Sequence, residues 1–285
     1  MFRRRPTEEG AVPEPPIAAE IGALPAGDSA TVIGVSLPVG HVVRLEEPDQ
    51  PGGPRDAMWR TEQTVATSLW RELLLRFPKT GLWPVLLDPN DRHDVMHDGP
   101  APPYESDRIE QASPEDVLSE LWPWNDRPAD AEELEWMRQV TEPYGPAFTG
   151  LASNRAPLRD SAIEQTLEYL DANESRSLAL VPVIRGADVP VALGWYGAVN
   201  HTNDIWKISV VLRSWEERFG ALLLGLGFDT MTVIVRRPPS PEQALAVAAE
   251  HYAFCPDNID QSETPSLPEY AELLARSPAW HFWWD

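Results

Sequence analysis

Asp204-Ile205-Trp206-Lys207-Ile208-Ser209-Val210-Val211-Leu212-Arg213-Ser214-Trp215-Glu216-Glu217-Arg218-Phe219-Gly220-Ala221-Leu222-Leu223-Leu224-Gly225-Leu226-Gly227-Phe228-Asp229-Thr230-Met231-Thr232-Val233-Ile234-Val235 carries two hydrophobic periods in one stretch, and the change between them decides the fold. Ile208, Val211, Leu212, Trp215 and Phe219 are spaced as one buried helical face, which Asp204 can cap and Gly220 can stop. Beyond Gly220, the apolar runs Ala221 to Leu226 and Thr230 to Val235 flank Gly227-Phe228-Asp229, which predicts an antiparallel hairpin.

Working outward, Leu178 to Ile184 and Val189 to Trp195 read as strands around a Gly186-Ala187-Asp188 turn. Downstream, Ser240 precedes a helix with Leu245, Ala248, Ala249 and Tyr252 inward, and a helix from Leu267 to Leu274 leads to the aromatic tail Trp280 to Asp285. Nearer the start, Thr31 to Val35 and Gly40 to Leu45 are β-rich, and Trp59 to Phe77 reads as a helix with Val65, Leu69, Leu73 and Phe77 on one stripe. Leu82 to Leu87 suits a buried strand in which Pro84 demands an edge or a start position. Ser161 or Asp160 begins a short helix reaching Leu170. The fold class expected is α/β or α+β: a mixed sheet with an antiparallel hairpin, covered by helices.

Of 285 residues, 45 are acidic and 23 basic, a net charge of −22 that repels nucleic acid and anionic membrane surfaces. Between residues 88 and 142 lie 16 acidic side chains and four arginines, so 16 − 4 = 12 of those negative charges sit in one segment. Ser113-Pro114-Glu115-Asp116 and Asp130 to Val140 are helix signals inside it. The expected organisation is a disordered arm over 1–28, a β/α portion over 29–87, an acidic lobe or insertion over 88–142, a connecting helical segment over 143–177 and a C-terminal α/β domain over 178–285. Cys255 is the sole cysteine, which points to a reducing cytoplasm. No run approaches the ~20 apolar residues that span a bilayer.

Several unusual words then occur in one order: Arg213 to Gly220, Gly225 to Asp229, Ala249-Glu250-His251, Phe254-Cys255-Pro256-Asp257-Asn258, Tyr270-Ala271 and Phe282-Trp283-Trp284-Asp285. This pattern resembles the actinobacterial, longer form of the domain-of-unknown-function family 4253, over roughly the C-terminal third. Gly40 to Leu45 and Thr80-Gly81-Leu82-Trp83-Pro84 resemble the N-terminal portion of longer members. The resemblance implies no reaction, ligand or catalytic residue.

The strongest polar cluster is His251, Cys255 and Asp257 with Asn258. Four residues apart on a helix, an imidazole can lower a thiol's pKa, but Pro256 limits that helix, and the favoured reading is architectural: a buried cysteine ending the helix and an Asp-Asn turn bonded to backbone. Asn200-His201-Thr202-Asn203-Asp204 is a polar loop between elements, a usual place for function or simply a turn with a helix cap. His93 and His97 would make a metal face on a helix, yet the flanking Asp88-Pro89-Asn90 and Asp98-Gly99-Pro100 are turn words, so no metal is expected. Gly225-Leu226-Gly227 lacks the third glycine of a dinucleotide loop, and no cofactor is expected. Trp122-Pro123-Trp124 and Trp280 to Trp284 either cap the core or form an anchor patch.

The leading expectation is therefore a non-enzymatic, cytoplasmic, acidic protein-interaction module, of immunity or accessory type, facing a basic partner protein. The rival is a hydrolase or transferase for a small polar molecule, using His251, Cys255, Asp257, His201 and Asn200, with His281 adjoining.

Overall fold

A computed structural model describes residues 31–32, 34–45, 55–88, 106–125, 130–154, 156–173, 175–263 and 265–285. The arm expected over 1–28 and the histidine pair His93 and His97 lie outside these residues. In chain order the elements are β1 (Thr31–Val32), β2 (Val35–Ser36), β3 (Gly40–Leu45), β4 (Arg55–Thr61), α1 (Thr67–Leu74), α2 (Phe77–Thr80), β5 (Leu82–Leu87), α3 (Ser106–Gln111), α4 (Pro114–Glu120), α5 (Ala131–Thr141), α6 (Ser161–Asn173), β6 (Ser177–Pro182), α7 (Val189–Leu193), α8 (Ile205–Phe219), β7 (Ala221–Leu226), β8 (Thr230–Val235), α9 (Pro241–Phe254), α10 (Asp257–Asp260), α11 (Leu267–Leu274) and β9 (Ala279–Trp283).

The fold is the mixed α/β architecture that the two periods imply. Seven strands form one sheet in the order β3-β4-β6-β5-β7-β8-β9, with β1 and β2 paired separately. Early and late strands interleave, so the sheet runs unbroken from the N-terminal portion into the C-terminal part. Every pairing in it is antiparallel except β5 with β7, which run parallel. The hairpin of β7 and β8 forms as expected, with a register shift between Leu223 and Gly225. That irregularity turns both Leu223 and Leu226 toward the same core.

Helices cover both faces, which is why every residue of β5 is buried. Trp83, Val85 and Leu87 alternate with Leu82 and Leu86 between two cores. The larger core takes in α7, α8, α9 and α11; the smaller holds Trp70 and Leu73 of α1, Ile163 and Leu167 of α6, and the β1–β2 pair. The aromatic end of the chain joins the larger one: Trp280, Phe282 and Trp284 are buried, while Trp283 remains 39 % exposed. These tail rings therefore cap the core, with Trp283 the exception.

Three local expectations are corrected. Trp59 lies on strand β4, and the helix begins only at Thr67, because Met58 and Trp59 pair across to β3 while the four-residue spacing operates from Val65 onward. Val189 to Trp195 is not a strand: Val189–Leu193 is a helix, wholly buried, closed by Gly194 in the left-handed region at φ 59°. A uniformly apolar run carries no period, and Pro190 suits a first helical turn. Pro84 occupies a central strand, tolerated because pairing with β7 starts only at Leu86. On its way past, the Pro84 carbonyl accepts from Trp70 Nε1 at 2.8 Å, and Trp83 Nε1 donates to the Leu223 carbonyl at 2.9 Å. Gly186 packs so closely on the Trp83 ring that a β-carbon would collide with it.

Candidate functional site

His251 lies in the last turn of α9 and Cys255 just past its end, where the backbone is no longer helical, and the two side chains find different partners. His251 Nδ1 lies 3.1 Å from the Tyr270 hydroxyl, and its ring sits among Trp215, Trp280 and Phe282 at centroid distances of 5.0, 4.5 and 4.8 Å. Its Nε2 is buried without a partner. Burial first, and then the charge of Arg218, push its pKa well below the ordinary value, so the ring is neutral. Burial pushes the Cys255 thiol up to about 12. At neutral pH this imidazole carries no charge to stabilise a thiolate, and the thiol stays protonated.

What the cluster does is close a sheet edge. β9 is the last strand of the sheet, and its outer backbone groups face α9 and α10. Cys255 Sγ donates to the Trp283 carbonyl at 3.0 Å. Asn258 donates to the His281 carbonyl at 2.6 Å and accepts from the Trp283 amide at 3.0 Å, as a neighbouring strand would. Asp257 accepts from the Asp285 amide at 3.2 Å, and Trp284 Nε1 donates to the Phe254 carbonyl at 3.2 Å. The words Phe254 to Asn258 and Phe282 to Asp285 are two halves of one capping device.

Further along the same turn, Asp260 has a buried oxygen with no hydrogen-bond partner. Its carboxyl is raised to about 7, by burial first, with the Tyr252 hydrogen bond opposing and the Asp257 charge adding. A carboxyl raised on folding stays neutral in the native state where the unfolded chain already ionises, so its penalty is absent below the ordinary value of 3.8 and complete above pH 7. Asp260→Asn is expected to stabilise the protein at pH 8 and to leave it unchanged near pH 4, as read by chemical denaturation at both.

The 200–204 loop is separate. His201 Nε2 lies 2.8 Å from the Ala253 carbonyl, to which it donates, and Asn200 is exposed. Asp204 stands at the cap position of α8, but its side chain makes no capping bond and instead meets Lys207 Nζ at 2.9 Å. The cavity beside this loop, lined by Trp195, Tyr196, Val199, Thr202, Asn203 and Ile205, measures about 10 Å³, room for one water. None of His201, His251 and Asp257 lines it.

Two buried ion pairs escaped the sequence reading. Glu250, fully buried, takes both arms of Arg218 at 2.7 and 2.6 Å, Trp215 Nε1 at 2.8 Å and the Ala152 amide at 2.7 Å. Asp188, also fully buried, takes Arg213 at 2.7 and 2.8 Å. Beside the latter, Glu216 meets Arg185 and the Ala187 amide; burial raises its pKa against the pull of Arg185. Arg213, Glu216 and Arg218 look like the wet side of α8, and their partners lie too far along the chain for any local spacing to reveal. Glu250 spends its oxygens on these fixed donors, which is the chemistry of a structural anchor.

The described residues of the acidic segment are packed onto the core. Ser113 and Asp130 cap α4 and α5 as expected, accepting from Asp116 N, and from Glu132 N and Glu133 N. Ile109, Val117, Leu118, Leu121, Trp122 and Val140 enter the larger core. Trp122 meets Tyr252 edge-on at 5.7 Å, and Arg108 lies 4.7 Å over Trp206. Lys207, buried on α8, bonds Glu120 at 2.8 Å as well as Asp204; burial opposes its charge, but these carboxylates outweigh it and raise its pKa. Away from that contact, Asp107, Glu110, Glu115, Asp116, Asp130, Glu132, Glu133, Glu135 and Glu142 are all exposed. The described helices thus carry a negative face on a core-anchored support.

At the edge of that face, an open groove of about 360 Å³ is lined by Trp124, Glu135, Arg138, Gln139, Glu142, Tyr144, Gly145 and Pro146. Trp124 is fixed by Nε1 donating to Thr141 Oγ1 at 3.0 Å. Burial raises the Tyr144 pKa, with its bond to Thr149 opposing. Among the described residues no cluster of His, Cys, Asp and Glu is placed to hold a metal ion, and no helix is long and apolar enough to cross a membrane.

Residues 177–285 match the model of a family described as a domain of unknown function, DUF4253. The match starts at β6 and takes in the buried ion pairs and the complete edge cap. No curated protein and no solved structure matches the chain.

Proposed function

We propose that this chain, whose C-terminal part is a DUF4253 domain, is a protein-interaction module of the cytoplasm that turns a rigid acidic face toward a basic partner protein, in an immunity-type or accessory role. One observation carries the reading: the acidic side chains described between residues 106 and 142 point outward, while the apolar sides of the same helices are locked into the core. A preformed face of one sign steers an oppositely charged protein and raises its association rate, without the ordering cost of a mobile lobe. Cys255, buried and protonated, suits a reducing compartment. Less speaks for the rival hydrolase or transferase: His251 reaches Cys255 only through Tyr270 and Asn258, while His201 and Asp257 bond the backbone elsewhere.

The test is affinity capture from the protein's own cell extract at about 50 mM and about 500 mM salt, where screening shortens from roughly 14 to 4 Å. A basic protein retained at low salt, released at high salt and lost from a Glu132→Lys, Glu133→Lys variant is the expected result. Equal retention by the wild type and the reversed variant would refute it.

A further inference from the structure

We propose that the groove beside α5 is the seat of a single arginine side chain of the basic partner, its guanidinium lying against Trp124 and Tyr144 and pairing with Glu142. The inference rests on the interaction reading above and names its contact point. At about 360 Å³, this groove falls within the range of small-ligand pockets, about 300–1,000 Å³, whereas the cavity by the 200–204 loop holds one water.

The occupant follows from charge and shape. Two carboxylates, Glu135 and Glu142, stand in the lining with one cation, Arg138. Arg138 is drawn to Glu135, with Nη1 3.7 Å from Oε2, which leaves Glu142 as an exposed carboxylate without an ion pair among the described residues. The same lining offers two aromatic rings, one held by its bond to Thr141. A carboxylate beside aromatic rings suits a flat, weakly hydrated cation that can stack and present paired donors, and arginine has that form where lysine does not. An anionic guest would be repelled by the negative field of α3 to α5, and a neutral one would draw no attraction from it.

The experiment titrates the full chain with an acetylated, amidated Gly-Arg-Gly peptide, following the indole N–H signal of Trp124 by nuclear magnetic resonance, assigned by its loss in Trp124→Phe. The matching peptide with citrulline, the uncharged isostere of arginine, is the control. The arginine peptide is expected to move the Trp124 signal and the citrulline peptide to leave it in place; Glu142→Gln, an exposed change that leaves the core intact, is expected to weaken binding about three- to fivefold. An unmoved Trp124 signal, equal binding of the citrulline peptide or undiminished affinity in Glu142→Gln overturns the groove assignment. Such a failure is distinct from failure of the interaction reading, because capture of the partner is scored on the reversal at Glu132 and Glu133, neither of which lines the groove.

Discussion

Glu250→Gln is expected to cost about 3–5 kcal/mol of folding stability, the usual penalty for stranding one member of a buried ion pair. The carboxylate has no exposure and receives four hydrogen bonds from three residues: Arg218 and Trp215 on α8, and the Ala152 amide on the segment entering from α5. Glutamine keeps the shape and one acceptor, but replaces the other oxygen with a donor that faces a guanidinium. Arg218 then keeps only the Ala152 carbonyl, at 2.7 Å, and Ser214 as partners besides that acceptor. Urea unfolding of both proteins measures the difference, provided the slope stays constant. Adding Arg218→Met to Glu250→Gln is expected to recover part of the loss, since replacing the guanidinium with an apolar chain removes the stranded charge. A cost below about 1 kcal/mol for Glu250→Gln would mean that water reaches the pair.

Trp215→Ala has an expected cost of similar size, about 3–5 kcal/mol, through a cavity that its neighbours cannot close. The indole lies 4.8 Å from Phe254, 5.2 Å from Trp280 and 5.4 Å from Phe282, the last in a stacked arrangement. It is the common neighbour of α9 and the C-terminal strand, so its loss loosens both. Because Trp215 Nε1 also donates to Glu250, combining this change with Glu250→Gln should cost less than the two separate losses added together. Strict additivity would show that the ring and its N–H contribute independently.

The elements with a clear period were legible without coordinates. Ile208 to Phe219 and the hairpin after Gly220 stand where spacing puts them, and Ser113 and Asp130 accept the amides that their places in sequence assign. Where every residue is apolar, as in Val189 to Leu193, no period exists and the choice between helix and strand passes to tertiary partners, here Asp188 with Arg213. Pro84 misled for a related reason: its effect depends on which neighbour starts pairing where, a property of β7 and not of β5. In the candidate site, an architectural role for Cys255, Asp257 and Asn258 was readable from the helix end and the turn, while the strand they complete was not. Only the chain's return as β9 shows that these polar groups complete a strand edge. The charge of residues 88 to 142 was plain, but the apolar stripe of Ile109, Val117, Leu118 and Val140, interrupted by turns, hid the anchoring that holds the described part of it.

That anchoring is the central physical claim, and native-state hydrogen exchange tests it most directly. The amides of Val117, Leu121 and Ala112, bonded to the Ser113, Val117 and Arg108 carbonyls, belong to α4 and the end of α3. If the acidic face is fixed to the core, they are protected at Val117 and Leu121 to nearly the same degree as the amides in the middle of α8. Exchange at Val117 and Leu121 approaching that of an unstructured peptide, while α8 stays protected, would contradict the account.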